Sequence, residues 1–437
     1  MITVGFDFGT HQTKICYENV EAGTTFYDVF RFKQANGEEA LTLPSYIRLC
    51  EDGTLRYGFD AMSGGQGGQT ITYFKQDMFS WMASDKIRSV AEKWSVLYLA
   101  FIIILLDRRF KTFSYVVQMG MPTDANPGHY NFCKRQAIKV MASAMLLARN
   151  VFKGDLTTYI STPYSQLVDL VAKCIAAVPC DIHEARKRYP IFVFPEAYAA
   201  LIPLINDHKL PTIGPNLFVD IGGGTVDISL FTNRLDMSIG RGTPYLYYYY
   251  SIPYGLNMIM GDDFTTTHNV KVGQGQITRQ CVERFRVKLI DAVKEMMLIL
   301  EQEYAGMGKT HVMPFVNLCA QALHFRPVCY SGGGSMFHGL KLPVAVKQAG
   351  VSCDFSQVTT VSQLIDHSKL YVDDGIFHVL ATAFALSHRS LCSDIRSEDP
   401  DAIRLVSIDK LFGGVRIPQD NFPNKGNGWM GKKKWSW

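Results

Sequence analysis

The stretch Phe218-Val219-Asp220-Ile221-Gly222-Gly223-Gly224-Thr225-Val226-Asp227 decides the fold of this chain. An apolar run ends in an aspartate, and a glycine turn with a threonine leads into a second apolar run. The N-terminal stretch Val4-Gly5-Phe6-Asp7-Phe8-Gly9-Thr10 has the same design. Such a strand and turn bring a carboxylate and a bare backbone to a phosphate group, because glycine has no Cβ that would hold the anion away. Two such units predict two related halves around one ligand.

A third glycine-rich stretch, Cys329-Tyr330-Ser331-Gly332-Gly333-Gly334-Ser335, follows later in the chain. Each of the three stretches alone is equally typical of an ordinary tight turn. Their order, each beside an apolar strand, favours a phosphate site instead. The sequence Gly-Met-Gly-Lys-Thr at 306–310 is not a P-loop, because that motif requires glycine where Glu303 stands.

Length and composition indicate a multidomain globular protein. The chain has 437 residues, a length that exceeds the usual limit for a single hydrophobic core. Its hydrophobic fraction of 47% is sufficient for packed cores. Its 44 basic and 40 acidic residues argue against nucleic acid as a main partner. The 10 cysteines include no C-x-x-C pair, so neither a zinc site nor a disulfide framework is predicted. We expect a cytoplasmic protein without a membrane segment, since the longest apolar run, 96–106, is too short to span a bilayer as a helix.

Strand and helix patterns alternate along the chain and predict an α/β fold. Strands are predicted at 2–8, 12–18, 41–48, 113–119, 156–162, 191–194, 217–221 and 226–231. Helices are predicted at 84–107, 129–150, 165–178, 196–206, 276–303 and 375–390. The tyrosine-rich run 245–250 favours a half-buried strand over a platform for stacking bases, because no Lys or Arg is interleaved. Residues 208–216 are predicted to form a hinge.

The three glycine-rich stretches resemble the phosphate-1, phosphate-2 and adenosine motifs of the actin/Hsp70/sugar-kinase ATPase superfamily. The run from Asp220 to Ser229 is most similar to Hsp70, while the third motif is also similar to that of actin. This resemblance implies a two-lobed actin-like fold, with duplicated ribonuclease H-like domains and a nucleotide cleft between the lobes. It implies lobe I at 1–207 with an inserted subdomain at about 37–112, lobe II at 208–400 with one at about 261–321, and a flexible C-terminal extension at 401–437.

Further stretches resemble the Hsp70 branch. The run 194–200 is similar to the helix whose glutamate places the attacking water, with proline and glutamate transposed. Residues 283–289 are similar to the Hsp70 segment that lies on adenosine. Phe74-Lys75 occupies about the sequence position of the Hsp70 lysine that reaches the γ-phosphate. Thr42-Leu-Pro-Ser-Tyr46 is similar to the Thr-x-Pro-Ser segment of Hsp70. Lobe II is followed by too few residues for an Hsp70 peptide-binding domain, and His11 and Gln12 depart from the family pattern.

The resemblance implies ATP or ADP and Mg²⁺ as ligands. It assigns catalytic roles to Asp7, Lys75, Glu196, Asp220, Thr225 and Asp227, with Asp7 and Asp220 holding Mg²⁺ through water. It assigns nucleotide contacts to Gly9, Thr10, His11, Gly222, Gly223, Gly224, Glu283, Arg286, Gly332, Gly333, Gly334 and Ser335.

Simpler interpretations of these residues stay open at this stage. The aspartates could cap turns, Lys75 could be a solvated helix lysine, and Glu196 could be an acid favoured by a helix N-terminus. Glu283 and Arg286 could form a surface i,i+3 pair.

Three functions fit the sequence. The first is an Hsp70-like ATPase without the usual peptide-binding domain, which works as a nucleotide-dependent, chaperone-like switch on a protein partner. The partner could stimulate hydrolysis, and the basic aromatic tail 429–437 could belong to the contact surface. The second is an actin-like ATPase that assembles into filaments. The third is a small-metabolite kinase. Such an enzyme needs a carboxylate base beside the terminal phosphate. The sugar-binding segments that such kinases tend to carry in lobe I are not found.

Overall fold

Two mixed β-sheets with the same strand order form the centre of this α/β protein in a computed structural model. The structure describes residues 1–34, 36–62, 67–122, 127–206, 216–236, 241–252, 254–260, 277–305, 327–341, 344–348, 351–355 and 357–389. Several predicted segments lie outside these residues: 208–215 of the predicted hinge at 208–216, the extension at 401–437, the stretch 306–310 and much of the subdomain at 261–321.

The first sheet has the order β11-β10-β1-β2-β3, with β6 paired to β2. Strand β1 runs antiparallel to β2 and parallel to β10, and β10 runs parallel to β11. Every residue of β1 after Ile2 is buried, as expected for a central strand made almost entirely of apolar residues. Its strands are β1 (Ile2–Phe8), β2 (Gln12–Glu21), β3 (Thr24–Val29), β6 (Thr42–Pro44), β10 (Tyr115–Met121) and β11 (Ile191–Pro195).

The second sheet repeats this pattern in the order β14-β13-β12-β15-β18. Strand β12 is antiparallel to β13 and parallel to β15, which is parallel to β18. The tyrosine-rich run lies in β14, which confirms the strand prediction. Its strands are β12 (Asn216–Ile221), β13 (Val226–Asp236), β14 (Arg241–Ile252), β15 (Val328–Ser331) and β18 (Val358–Thr360).

Short strands make three small sheets beside the two large ones. Strands β7 (Ile47–Leu49), β8 (Leu55–Tyr57) and β9 (Gln69–Ile71) form one, and two pairs of strands form the others. These pairs are β4 (Phe32–Lys33) with β5 (Glu39–Ala40), and β16 (Val344–Gln348) with β17 (Val351–Phe355). The predicted strand at 41–48 is therefore divided into β6 and β7.

All six predicted helices are present, and the other described helices are short ones that were not predicted. With one exception, the described helices lie outside the predicted strands. They are α1 (Phe59–Met62), α2 (Phe74–Phe79), α3 (Asp85–Phe110), α4 (Pro127–Leu146, continued by a π-helical turn at Leu147–Val151), α5 (Leu156–Ser161), α6 (Tyr164–Ala177), α7 (Ile182–Arg188), α8 (Glu196–Asn206), α9 (Leu256–Ile259), α10 (Arg279–Ala305), α11 (Val361–Leu364) and α12 (Asp374–Ser387). The six that were predicted are α3, α4, α6, α8, α10 and α12. Short 3₁₀ turns occupy Gly333–Met336, His338–Leu340 and Ser368–Leu370.

The exception is α5, where a strand was predicted from the β-branched and aromatic residues at 156–162. That prediction is wrong because Asp155 caps a helix there. Its carboxylate accepts the backbone N–H groups of Thr157 (2.9 Å) and Thr158 (3.3 Å). A side-chain cap satisfies donors that a helix start leaves open, and here it outweighs the β propensity.

Helix α3 contains the long apolar run. By length and composition it is the one helix among the described residues that could cross a membrane, and 72% of its most apolar 18-residue window is buried in the protein. Its buried side chains belong to the core of the first sheet, together with Val4, Phe6 and Phe8. This packing agrees with the interpretation of the run as part of a core helix.

Helices α8 and α12 pack against each other and join the two sheets. A single hydrophobic cluster contains Cys16 of β2, Leu201 of α8, Phe218 of β12 and Phe377 of α12. Helix α12 also approaches β1 at Gly5, where an added Cβ would lie 2.2 Å from the carbonyl oxygen of Ala383. Only glycine permits this approach, so the position fixes α12 on the first sheet.

Candidate functional site

The first hairpin, β1 and β2 with the loop Gly9–His11, places Asp7 directly opposite Lys14. Because cross-strand partners project to the same side, the two side chains meet. Lys14 Nζ donates to Asp7 Oδ2 at 3.0 Å, and Asp7 is 7% exposed. Burial opposes the charge of Lys14, but Asp7, followed by Asp220 and Glu196, raises the pKa of Lys14 above its ordinary value.

Strand β6 and the residues after it hold the loop of the first hairpin. Ser45 Oγ donates to the carbonyl of Gly9 (2.7 Å), and the Ser45 N–H donates to the carbonyl of His11 (2.8 Å). The backbone N–H groups of Thr10 and His11 have no acceptor among the described residues. The loop therefore has the carbonyls of Gly9 and His11 occupied, while two of its backbone donors, on Thr10 and His11, remain available.

The second hairpin, β12 and β13 with the loop Gly222–Thr225, places Asp220 opposite Asp227. Asp227 accepts hydrogen bonds from Thr225 Oγ1 (3.1 Å) and from the Tyr249 hydroxyl (2.6 Å). Burial, followed by the charge of Asp227, raises the pKa of Asp220 to about 7, with Lys14 opposing the shift. The same backbone pattern thus gives an ion pair in the first hairpin and two facing carboxylates in the second.

The glycine loop of the second hairpin is held by its carbonyls. The carbonyls of Gly222, Gly223 and Gly224 accept the N–H groups at the start of α9, at 2.8, 3.1 and 3.0 Å. The N–H groups of Gly223 and Gly224 have no acceptor within the described part of the chain. Successive backbone donors of this kind form a concave anion site.

Lys75 and Glu196 form a second ion pair. Lys75 Nζ lies 2.6 Å from Glu196 Oε1 and 5.9 Å from the centre of the Phe8 ring. Lys75, on α2, is 6% exposed, which excludes the interpretation as a solvated lysine. Glu196 is the first residue of α8, after β11 ends at Pro195, and burial raises its pKa against the effect of Lys75. The pair brings α2 and α8 together at the site.

These groups surround a cavity of about 370 Å³ between the carboxyl ends of β1 and β12. Ligands of open α/β sheets bind at the carboxyl ends of strands. Most of the residues assigned by resemblance line it: Asp7, Gly9, Thr10, His11, Lys75, Glu196, Asp220, Gly222, Gly223, Gly224, Thr225, Asp227, Gly332 and Gly333.

The third glycine-rich stretch follows β15 and packs against β12. Gly332 has φ +78°, and an added Cβ there would lie 2.2 Å from Asp220 Oδ1. Gly334 and Ser335 are buried and do not line the cavity. Gly334 packs on Ile221, since an added Cβ would lie 2.1 Å from that side chain. Ser335 Oγ donates to the carbonyl of Gly332 (2.7 Å). These two residues stabilise the turn that brings Gly332 to the site.

Glu283 and Arg286 also lie outside the cavity lining. Both are exposed on α10, whose buried face carries Phe285 and Leu289. Their assignment to ribose and base stays a prediction, and the alternative of a surface position agrees with their exposure.

Several lining residues escaped the sequence interpretation: Lys14, Tyr249, Asn257 and His378. Lys14 could have been found from the hairpin, because a turn at Gly9–His11 sets Asp7 against Lys14. The other three come from strands or helices distant in sequence, and no local pattern marks them.

No protein-family model and no curated protein matches this chain. Among solved structures it is similar to MreB 5 of Spiroplasma citri bound to AMPPNP, with 12% identity, a TM-score of 0.42, and coverage of 90% of this chain and 98% of that chain. It is also similar to MreB5 of Spiroplasma citri bound to ADP, with 13% identity, a TM-score of 0.40, and coverage of 87% and 94%.

Proposed function

We propose that this chain is an ATPase that binds ATP with Mg²⁺ between its two sheets. The observation that carries the proposal is the pair of hairpin loops. Each presents backbone donors that have no acceptor among the described residues, beside a buried or half-buried aspartate, and both line one cavity. Phosphate oxygens are suitable acceptors for such donors.

The duplicated strand order supports a two-lobed arrangement, with lobe I at 1–207 and lobe II at 208–400. In this proposal the cavity is the nucleotide cleft, the loops hold the phosphates, and the side near Gly332 and Gly333 faces the nucleoside. Glu283 and Arg286 remain candidates for base and ribose contacts if α10 approaches a bound nucleotide.

The donor set fits Mg²⁺. No group of three or more His, Cys, Asp or Glu side chains in the described part of the chain is arranged to hold a metal by itself. Mg²⁺ prefers one or two carboxylates together with water and phosphate oxygens. Asp7, Asp220 and Asp227 could supply the carboxylates. Burial, followed by the charge of Asp227, raises the pKa of Asp220, so a cation bound beside this carboxylate would favour its charged form. When bound, Mg²⁺ supplies charge neutralisation on phosphate oxygens.

The chain's own residues have complementary tasks in hydrolysis. Lys14 and Lys75 carry the positive charge that a phosphoryl group needs as its bond to the leaving oxygen breaks. Glu196, whose pKa is raised, can accept a hydrogen bond from the attacking water and orient it. Thr225 and Tyr249 hold the Asp227 carboxylate in place beside Asp220.

For the output of the nucleotide cycle we propose actin-like assembly rather than an Hsp70-like chaperone switch. Beyond the two large sheets, the described residues contain only sheets of two or three strands. None of these offers a domain that could enclose a peptide. Self-assembly needs no additional domain, because each copy supplies both surfaces of the contact.

Two measurements test the proposal. Calorimetric titration with AMPPNP and ADP, with and without Mg²⁺, tests binding, and absence of binding would overturn it. Sedimentation velocity over a concentration series, with Mg-ATP, Mg-ADP and no nucleotide, tests the output. Large assemblies with ATP that dissociate with ADP are expected. A particle that stays small and becomes more compact with ATP would support the chaperone-like switch instead.

A further inference from the structure

His11 lies between the two glycine loops and contacts both hairpins. It belongs to the loop of the first hairpin, and its ring packs on the loop of the second. A Cβ on Gly223 would come within 2.7 Å of His11 Cδ2, and a Cβ on Gly224 within 3.1 Å of His11 Nε2. The edge of the ring also faces Tyr73, with 5.1 Å between ring centres. The imidazole therefore requires glycine in the opposite loop.

Asn257 determines which nitrogen of this ring carries the proton. Asn257 Nδ2 lies 3.2 Å from His11 Nε2, and an amide nitrogen can only donate, so Nε2 accepts. Asn257 is itself held, because its backbone N–H donates to the carbonyl of Gly223 at 3.1 Å and its side chain is buried. Burial, followed by the charge of Lys14, lowers the pKa of His11 to about 4. The neutral ring therefore carries its proton on Nδ1.

This Nδ1 proton is a donor at the wall of the cavity. His11 lines the cavity, and no acceptor among the described residues takes the proton. Nδ1 is also absent from the buried polar atoms that lack a partner, so it is open to a ligand. Lys14 and Asp7, which form an ion pair, line the same cavity as His11.

We propose that His11 is a phosphate-contacting residue that distinguishes a triphosphate from a diphosphate. Its Nδ1–H donates to an oxygen of the terminal phosphate held between the two loops, and Asn257 is the positioning residue that fixes this tautomer. The inference rests on the proposed nucleotide site. A hydrogen bond to a charged acceptor corresponds to roughly a 10- to 100-fold difference in affinity.

Affinities for AMPPNP and ADP in the presence of Mg²⁺ test this role. His11→Ala is expected to lose about 10-fold or more in AMPPNP affinity and to leave ADP affinity unchanged. His11→Asn, whose amide nitrogen can replace Nδ1, should retain the preference for AMPPNP, whereas His11→Gln, whose amide reaches toward Nε2, should lose it. His183→Ala, which removes an exposed histidine of α7, is the control and should bind as the wild type does.

The outcomes separate this inference from the proposed function. Wild-type protein that binds neither nucleotide overturns both. Wild-type protein that prefers AMPPNP, with the same preference in His11→Ala, overturns the role of His11 and leaves the nucleotide site standing.

Nitrogen-15 spectra of histidine-labelled wild type give a readout that does not depend on the folding of any variant. We expect the Nδ1–H tautomer of His11, with a proton signal that AMPPNP moves and ADP does not. An Nε2–H tautomer, or a signal that neither nucleotide moves, would overturn the inference.

Discussion

The two hairpins have the same backbone and opposite electrostatics. In the first, Asp7 faces Lys14 and its charge is balanced inside the protein, at 3.0 Å. In the second, Asp220 faces Asp227, and two acidic groups share one half-buried site. The residue opposite the aspartate thus decides whether the aspartate's charge is balanced within the hairpin or requires a cation from outside. The difference teaches that strand order supplies the scaffold, while one cross-strand residue supplies the chemistry.

The largest effect is expected from Asp220→Ala, which removes the half of the carboxylate pair that lies nearest Gly332. Hydrolysis should fall by about 1000-fold, the upper range for loss of one preorganised electrostatic group. The fold should persist, because the substitution removes repulsion with Asp227. ATP turnover measures the loss of hydrolysis, and thermal unfolding measures whether the fold persists. Asp169→Ala, which removes an exposed aspartate of α6, is the control. Normal turnover in a folded variant would contradict the site.

Lys14→Met breaks the balanced hairpin and leaves the Asp7 carboxylate buried without its partner. We expect the free energy of unfolding to fall by about 3 kcal/mol, as for other broken buried ion pairs. Adding Asp7→Asn to this variant should restore part of the loss, because no uncompensated charge remains. Urea denaturation of the two single variants and the double variant measures the coupling. Lys173→Met, on an exposed lysine of α6, should change little, and equal losses for both lysine variants would refute the comparison.

Tyr249→Phe removes a hydroxyl that holds Asp227 at 2.6 Å. A hydrogen bond to a charged acceptor contributes about 1.5 kcal/mol, so chemical denaturation should show a loss of that order. The control is Tyr371→Phe, since Tyr371 is 92% exposed. The comparison sharpens if turnover falls as well, because the two carboxylates are then less well positioned for a cation. A loss no larger than that of the control would remove Tyr249 from the site.

The smallest effect concerns pH. The pKa of Asp220 is about 7 in the folded protein and near 3.8 unfolded, so the folded state binds more protons between these values. Without divalent cations, the stability that Asp220 contributes is therefore lost as pH rises from about 4 to about 7. Asp227→Asn removes the facing charge, and the melting temperature should then fall less over this range, by an amount equivalent to about 1 kcal/mol. Added Mg²⁺ should flatten the wild-type curve similarly. Identical pH slopes in wild type and variant would contradict the facing-carboxylate pair.

The sequence predicted both hairpins, because an apolar run, an aspartate and a glycine turn are all local signals. It failed at α5, where the Asp155 cap outweighs β propensity. Predicting that Lys14 belongs to the site requires the register of the first hairpin. Predicting Asn257 requires knowing how α9 packs against the second hairpin. Glu283 and Arg286 matched a family pattern, yet the apolar periodicity of α10 turns them to the surface. Features within one hairpin could thus be predicted from the sequence, whereas contacts between elements distant in sequence depend on tertiary packing and could not.

The contact at Gly5 has a mechanical consequence. Helix α12 touches the backbone of β1 there so closely that no side chain fits between the helix and the strand. Asp7 is two residues further along β1, about 7 Å away at the rise of an extended chain. A larger side chain at position 5 would therefore displace the strand that carries Asp7, although position 5 itself lies outside the cavity lining.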